Sequence, residues 1–355
     1  MLTITRRRFV TLATLTPVAD AAAQLIGNSG GGWSVRGTDP IEIFHGDRMI
    51  TSYHAGYDTG QPHFHPVVGP SGELFTTAVA KTGKKDTPPR SREGLWFALG
   101  NLNGYDFRQA PGGAPVSDRK PGDIRHRGVN GVIVKDSVIV LRTRSEWFDA
   151  GDKERRICSD RREFTLFYRE DGSLVIEIEL ELMADAGDLE IGPESEGGWS
   201  AHVGPGLSWK EAEPGRALAS SEGLTGKEVL GSKAKWVACQ GHDAGGKVAG
   251  VAVLDHPGNP GFPAHWSIDG AGLISANPFK APGQVAEPDE KPGSEQTAEA
   301  APSRNFRLHS GESDEKLPRV IPNGESLLFR YRTVFYTGEL SSIDLDKASE
   351  AFSAR

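Results

Sequence analysis

Leu174-Val175-Ile176-Glu177-Ile178-Glu179-Leu180-Glu181-Leu182 is the stretch whose reading decides the fold. Leu or Ile stands at every second position, and Glu fills three of the four places between. Successive side chains on a strand point to opposite faces, so one face of this segment is buried and the other wet. Residues 164–168 read as another strand, and Glu170-Asp171-Gly172 supplies a reversal, which predicts a long hairpin over 162–183. Residues 132–134 and 138–141 flank Lys135-Asp136-Ser137 as a second hairpin. Further strands are expected at 41–44, 49–53, 96–98, 236–238, 248–254 and 327–335. Many strands, with 44 glycines spread over most of the chain, predict stacked antiparallel sheets. One helix is expected, at 341–355: Ser341 or Ser342 caps it, Asp344 and Asp346 favour its N-terminal dipole, and Leu345, Ala348 and Phe352 share a face.

A chain of 355 residues is long enough to bury a substantial core in one large all-β domain or two ordinary ones. Its 40 basic and 48 acidic residues give a net charge of -8 without a basic stripe, which argues against nucleic acid as a partner. Beyond the N-terminus no apolar run approaches the ~20 residues of a spanning helix, so no integral membrane association is expected. Arg6-Arg7-Arg8-Phe9-Val10, a mildly apolar stretch and Ala21-Ala22-Ala23 read as a twin-arginine export signal over 1–23, which implies a periplasmic or secreted protein. A linker at 24–40 follows, then the β domain at 41–340. Within it, 280–303 is poor in large apolar residues and reads as a mobile surface insertion. Cys158 and Cys239 lack metal or redox spacing; one disulfide and two buried thiols both fit.

The loop that follows the apolar run 248–254 gathers imidazoles, amides and an indole: Asp255-His256-Pro257-Gly258-Asn259-Pro260, then Phe262-Pro263-Ala264-His265-Trp266 and Asn277-Pro278-Phe279. Its prolines exclude regular structure, and polar groups on a loop held by a rigid strand suit a binding or reaction site. A proline-stiffened turn whose amides satisfy the backbone is the competing reading. His63 and His65, at i and i+2 on a strand, share a face and suit metal binding or paired acid and base duty; without a third ligand at motif spacing, bonds to a neighbouring turn explain them as well. Arg90, Arg92, Trp96, Asn101, Asn103 and Asp106 resemble the equipment that grips a polyhydroxylated or carboxylated ligand, and Arg125-His126-Arg127 adds a second cationic cluster. Glu194 and Glu196, with Trp199 and His202, offer two carboxylates that a site divides into acid and base by desolvating one. Neither GxSxG, nor a phosphate loop, HExxH or EF-hand occurs, which excludes the activities those motifs carry.

In this order, Phe64-His65-Pro66, Gly94-Leu95-Trp96-Phe97, Asn103-Gly104, Asp106-Phe107, Glu196-Gly197-Gly198, Lys235-Trp236-Val237, Asp255-His256-Pro257, Asn259-Pro260, Trp266 and Asn277-Pro278-Phe279 resemble a bacterial family of unknown function often labelled PmoA-like. The label suggests a methane monooxygenase subunit, which the lack of spanning helices contradicts. The resemblance implies an antiparallel β-supersandwich like galactose mutarotase domains, a scaffold that commonly holds carbohydrates. The family's paired histidines before the Leu-Trp-Phe strand are replaced here by Asp86 to Glu93, so no metal or other cofactor is assigned.

The expectation is an exported protein acting on a carbohydrate or sugar derivative, by cleaving a glycoside or isomerising the sugar. His65 and His256 would transfer protons, Glu196 would act as a second carboxylate and Arg92 would stabilise developing negative charge. Trp96 and Trp266 would stack on sugar faces, while Asn103, His126, His202, Asn259 and Asn277 bind hydroxyls. A non-catalytic sugar-binding or scaffold protein is the alternative.

Overall fold

The computed structural model describes residues 32–55, 61–69, 72–77, 94–108, 117–135, 137–194, 196–210, 213–243, 245–280 and 320–355. Among them, eight strands form one sheet in the order β1 (Trp33–Arg36), β2 (Ile41–His45), β3 (Arg48–His54), β4 (His63–Val67), β5 (Leu95–Ala98), β12 (Gly198–His202), β17 (Leu273–Asn277) and β16 (His265–Ile268). Nine form a second, ordered β13 (Ala217–Ser220), β14 (Trp236–His242), β15 (Val248–Asp255), β19 (Ser326–Thr337), β10 (Leu174–Met183), β9 (Arg156–Tyr168), β8 (Val138–Asp149), β7 (Lys120–Lys135) and β6 (Tyr105–Asp106). A small pair, β11 (Leu189–Glu190) with β18 (Val320–Ile321), completes the set. The ladders are antiparallel except the short β6–β7 pair.

Both expected hairpins form. Leu174 lies opposite Tyr168 across the β9–β10 turn, where Gly172 takes φ +83°, a conformation open to glycine at little cost. Leu174, Ile176, Ile178, Leu180 and Leu182 are buried, as the alternation requires. Glu179 and Glu177 on the other face meet Arg330 and Arg332 of β19. The two large sheets pack face to face. Phe64 of β4 stands edge-on to Phe164 of β9 at 4.8 Å, Phe97 of β5 lies 5.0 Å from Phe329 of β19, and Trp199 of β12 donates through Nε1 to Thr333 Oγ1 at 2.8 Å.

The helix is α1 (Leu345–Ser353), capped by Asp344, whose carboxylate accepts from Lys347 N at 2.8 Å; the serines expected to cap it sit in the preceding turn. Its buried residues Leu345, Ala348 and Phe352 cover Val175, Ala252, Leu254, Val334 and Tyr336 on the outer face of the nine-stranded sheet. Arg332 fastens it there, donating to Glu177 and, at 2.7 Å, to the carbonyl of Ala348. Cys158 and Cys239 are separate buried thiols, which decides against the disulfide. No helix among the described residues is long and apolar enough to cross a membrane. The expected export signal and the insertion from 281 onward lie outside the described residues.

Candidate functional site

In the eight-stranded sheet Phe64, Leu95, Phe97, Trp199, Ala201, Ile274, Ala276, Trp266 and Ile268 belong to the core. The residues alternating with them therefore point away from the second sheet. Register aligns them into a row across six strands: His54 opposite His63, His63 opposite Trp96, Trp96 opposite Ser200, Ser200 opposite Ser275 and Ser275 opposite Ser267. Directly opposed residues on one face have Cβ atoms about 5 Å apart, so these side chains form one continuous strip, polar except for Trp96, which is part of the apolar core cluster. His65, His202 and His265 share the face, two residues along their strands from His63, Ser200 and Ser267.

Each imidazole on this face is tied down through one ring nitrogen. A carbonyl can only accept, so His63 donates from Nδ1 to Gln61 O (2.9 Å), His54 from Nε2 to His65 O (2.8 Å), His202 from Nε2 to Ala271 O (3.0 Å) and His265 from Nδ1 to Gly231 O (3.1 Å). His65 Nδ1 shares a hydrogen bond with Thr76 Oγ1 at 3.2 Å. The His54 and His63 rings stack at 4.8 Å, 5° from parallel. Burial pushes His63 down to about 4, so it is neutral at physiological pH. Ser200 Oγ donates to Ser275 Oγ, which donates to Gly197 O, both at 2.9 Å. Trp96 is only 1% exposed, and its Nε1–H has no acceptor. A buried donor without a partner is costly, which makes this indole the most conspicuous group on the strip. The strip's floor is buried, whereas His54, His65 and His265 at its margins are half-buried. Among the described residues no group of three or more His, Cys, Asp or Glu is arranged to hold a metal ion.

Of the residues singled out in the sequence, His63, His65, Trp96, His202, His265 and Asn277 share this face, while Arg92 lies outside the described residues. His256 does not join them. Asp255 pairs with Tyr331 and points into the sandwich, so His256 turns outward on the other sheet, edge-on to Phe352 of α1 at 5.0 Å with Nδ1 accepting from Gly258 N. Asn259 is a backbone clamp. Its Nδ2 donates to Asp255 Oδ1 (2.7 Å) and Arg330 O (2.6 Å), and its Oδ1 accepts from Arg330 N (2.7 Å). Asn259→Ala is accordingly expected to cost about 2–4 kcal/mol in denaturant unfolding, through three lost hydrogen bonds. A loss below about 0.5 kcal/mol would remove the clamp from consideration.

Trp266 is a core residue whose Nε1 donates to Ala234 O at 2.9 Å, not a stacking platform. Asn103 is exposed, at φ +51°, and bonds Glu190 N and Asp188 O in a turn. His126 faces the interior, 3.4 Å from Tyr53 Oη, while Arg125 and Arg127 are paired with Asp123 and Glu146, so that cluster offers no cationic patch. Asn277 uses its amide to hold Glu194 O (3.0 Å) and Phe279 N (2.9 Å). Thus the loop after β15 is the proline-stiffened turn of the competing reading.

A second polar cluster lies at one end of the sandwich. Asp106 grips Arg108 with both carboxylate oxygens (2.9 and 2.6 Å), and Arg108 Nη1 also approaches Glu196, 3.8 Å away. The desolvated carboxyl is Glu194 rather than Glu196: burial pushes it up to about 8, with one oxygen accepting from Gly100 N and the other without a partner. Glycine is required around it. A Cβ on Gly197 would stand 2.3 Å from Glu194 Oε1, and one on Gly100 2.5 Å from Arg108 Nε. The sequence reading missed His54, Ser200, Ser267 and Ser275; only their alternation with apolar neighbours signals them.

The profile of a family described as "Family of unknown function (DUF6807)" matches residues 40–350. No curated protein matches the chain.

Proposed function

The chain belongs to this family of unknown function, and from that premise we propose that it is a carbohydrate-active protein whose ligand lies on the outer face of the eight-stranded sheet. The observation that carries the proposal is the aligned strip from His54 to Ser267, with the buried, unpartnered Trp96 Nε1–H at its centre. A strip of imidazoles, hydroxyls and one indole, fixed on rigid strands, matches a polyhydroxylated ligand that needs many oriented hydrogen bonds beside an apolar surface. The likeness to PmoA-like sequences and to galactose mutarotase scaffolds supports the same reading by analogy. The twin-arginine motif of the sequence adds export, which fractionation of cells expressing the full chain tests.

In the catalytic form of this proposal His65 transfers the proton during cleavage or isomerisation of the sugar. It is half-buried, and its Nδ1 is oriented by Thr76, the arrangement that keeps a proton-transfer group in place. Glu196, beside Arg108 in the polar cluster at the end of the sandwich, is the second carboxylate of this proposal and precedes β12 in the chain. A binding protein without turnover is the second reading, favoured by the tethering of the imidazoles to the main chain. Incubation with a panel of oligosaccharides and oxidised sugars, followed by product analysis, separates the two. A catalyst is expected to lose at least a hundredfold in kcat on His65→Ala with ligand affinity retained, on the scale of general acid–base catalysis. Turnover that survives the substitution excludes His65 as the proton carrier, and a panel that yields neither product nor binding sinks the proposal.

A further inference from the structure

We propose that Lys280 Nζ is a nucleophilic amine that condenses with the aldehyde of a sugar in its open-chain form. The inference rests on the carbohydrate reading above for the identity of the carbonyl compound, and on the β16 margin of the same face for the amine.

The amine has a built seat. Segment 231–233 lies along the edge of β16: Gly231 N donates to Trp266 O, Trp266 N donates to Ser232 O, and Lys233 bridges to His265. Gly231 O thereby comes within reach of two side chains, Lys280 Nζ at 3.3 Å and His265 Nδ1 at 3.1 Å. Gly231 takes φ +74°, and a Cβ on it would stand 2.6 Å from Lys280 Nζ, so only glycine leaves the amine its place. Lys280 is itself anchored, because it follows the buried Phe279 and its main chain bridges to that of Glu194.

An exposed lysine is kept as an ammonium by water or by a carboxylate. Lys280 and His265 are both half-buried, and among the described residues no carboxylate pairs with the amine. The groups around it are the His265 ring, then Lys233 bridged to His265, and Glu194, whose carboxyl is turned to Gly100 N. A carbonyl oxygen orients Nζ without supplying the charge that would hold it protonated. Burial pushes the amine below the usual lysine range. A desolvated lysine of this kind is the one that forms imines with carbonyl compounds.

In the step itself the Nζ lone pair forms a bond to the aldehyde carbon, giving a carbinolamine. Both amine hydrogens then leave with the former carbonyl oxygen as water, and the C=N bond of the imine remains. One amine and one aldehyde give one imine and one water, with no oxidant or reductant. The imidazole beside the amine is His265, on the same carbonyl oxygen, whereas His65 of β4 stands four strands away.

The test is incubation of the full chain at pH 7 with cyanoborohydride and either glyceraldehyde, a small aldose, or propanal, an aldehyde without hydroxyls, followed by peptide mass mapping. Exposed Lys135, Lys153 and Lys227 serve as internal standards. The expected result is a glyceraldehyde adduct on Lys280 that forms about tenfold faster than on these three, since the neutral amine is nucleophilic and the ammonium is not. That lead is expected to shrink at about pH 10, where ordinary lysines also become neutral. Lys280→Arg is expected to remove this adduct and leave the others. Labelling of Lys280 no faster than the standards with either aldehyde overturns the inference and leaves the sugar reading intact. Fast labelling by propanal alone overturns the assignment of a sugar to this amine. Fast labelling by glyceraldehyde in a chain that neither binds nor converts any oligosaccharide upholds the amine and confines the failure to the oligosaccharide reading.

Discussion

Asp160→Asn is expected to lower the free energy of unfolding by about 3–5 kcal/mol, the usual result of stripping one partner from a buried ion pair. Asp160 and Arg162 are 0% and 1% exposed, on the core side of β9. Arg162 donates to both carboxylate oxygens, at 3.0 and 2.7 Å, and Trp147 Nε1 adds a third donor at 2.7 Å. Removing the carboxylate charge leaves a guanidinium buried between two sheets with no counter-charge in contact. Arg162→Met alone strands the opposite charge and should cost a similar amount. The double variant is expected to recover most of the loss, because two buried charges replaced by apolar and amide groups no longer carry their desolvation cost. Denaturant unfolding of the three variants checks the cycle. A single-variant loss under about 1 kcal/mol would show that water reaches the pair.

The second large effect is on pH dependence. Glu194 is pushed up from 4.5 to about 8 by burial, against the opposing pull of Arg108 and Gly100 N–H. Because the folded state holds this proton more tightly than the unfolded chain does, its contribution is fully present below about pH 4.5 and is lost as pH rises through about 8. At 1.36 kcal/mol per unit the swing is on the order of 5 kcal/mol. Asp255, raised to about 7 by burial, adds a slope of the same sign between about pH 4 and 7. Glu194→Gln keeps an acceptor for Gly100 and removes the titration, so the unfolding temperatures at pH 5 and pH 9 should lie closer together in the variant. An unchanged gap would locate the alkaline loss elsewhere.

How much of this was legible in the sequence varies with how local the cause is. The Leu174–Leu182 alternation marked its strand because burial on one face repeats every second residue whatever the partner. Asp344 displaced the serines as helix cap, since capping depends on which residue holds non-helical backbone one step before the first turn, a difference of two or three positions that composition does not fix. The loop after β15 misled for a different reason. Asp, Asn and His are as useful for satisfying backbone groups as for binding a ligand, and Asn259 spends all its hydrogen bonds on Asp255 and Arg330, 71 residues further along. Glu194 and Glu196 looked alike in the sequence. Their environments separate them: one is sealed beneath Gly100 and Gly197, the other is 28% exposed beside Arg108.

By itself the sequence determined that this protein is a stack of β-sheets with a terminal helix, because strand period, turn glycines and amphipathic spacing act over a few residues. Which strands become neighbours was decided only by the tertiary structure, since pairing is a contest among distant segments for the same edge. That contest set residues 54, 63, 96, 200, 275 and 267 in one row. It also turned His256 to the opposite side: Asp255, the last residue of β15, faces the core, and just past the strand end His256 packs edge-on against Phe352 of α1.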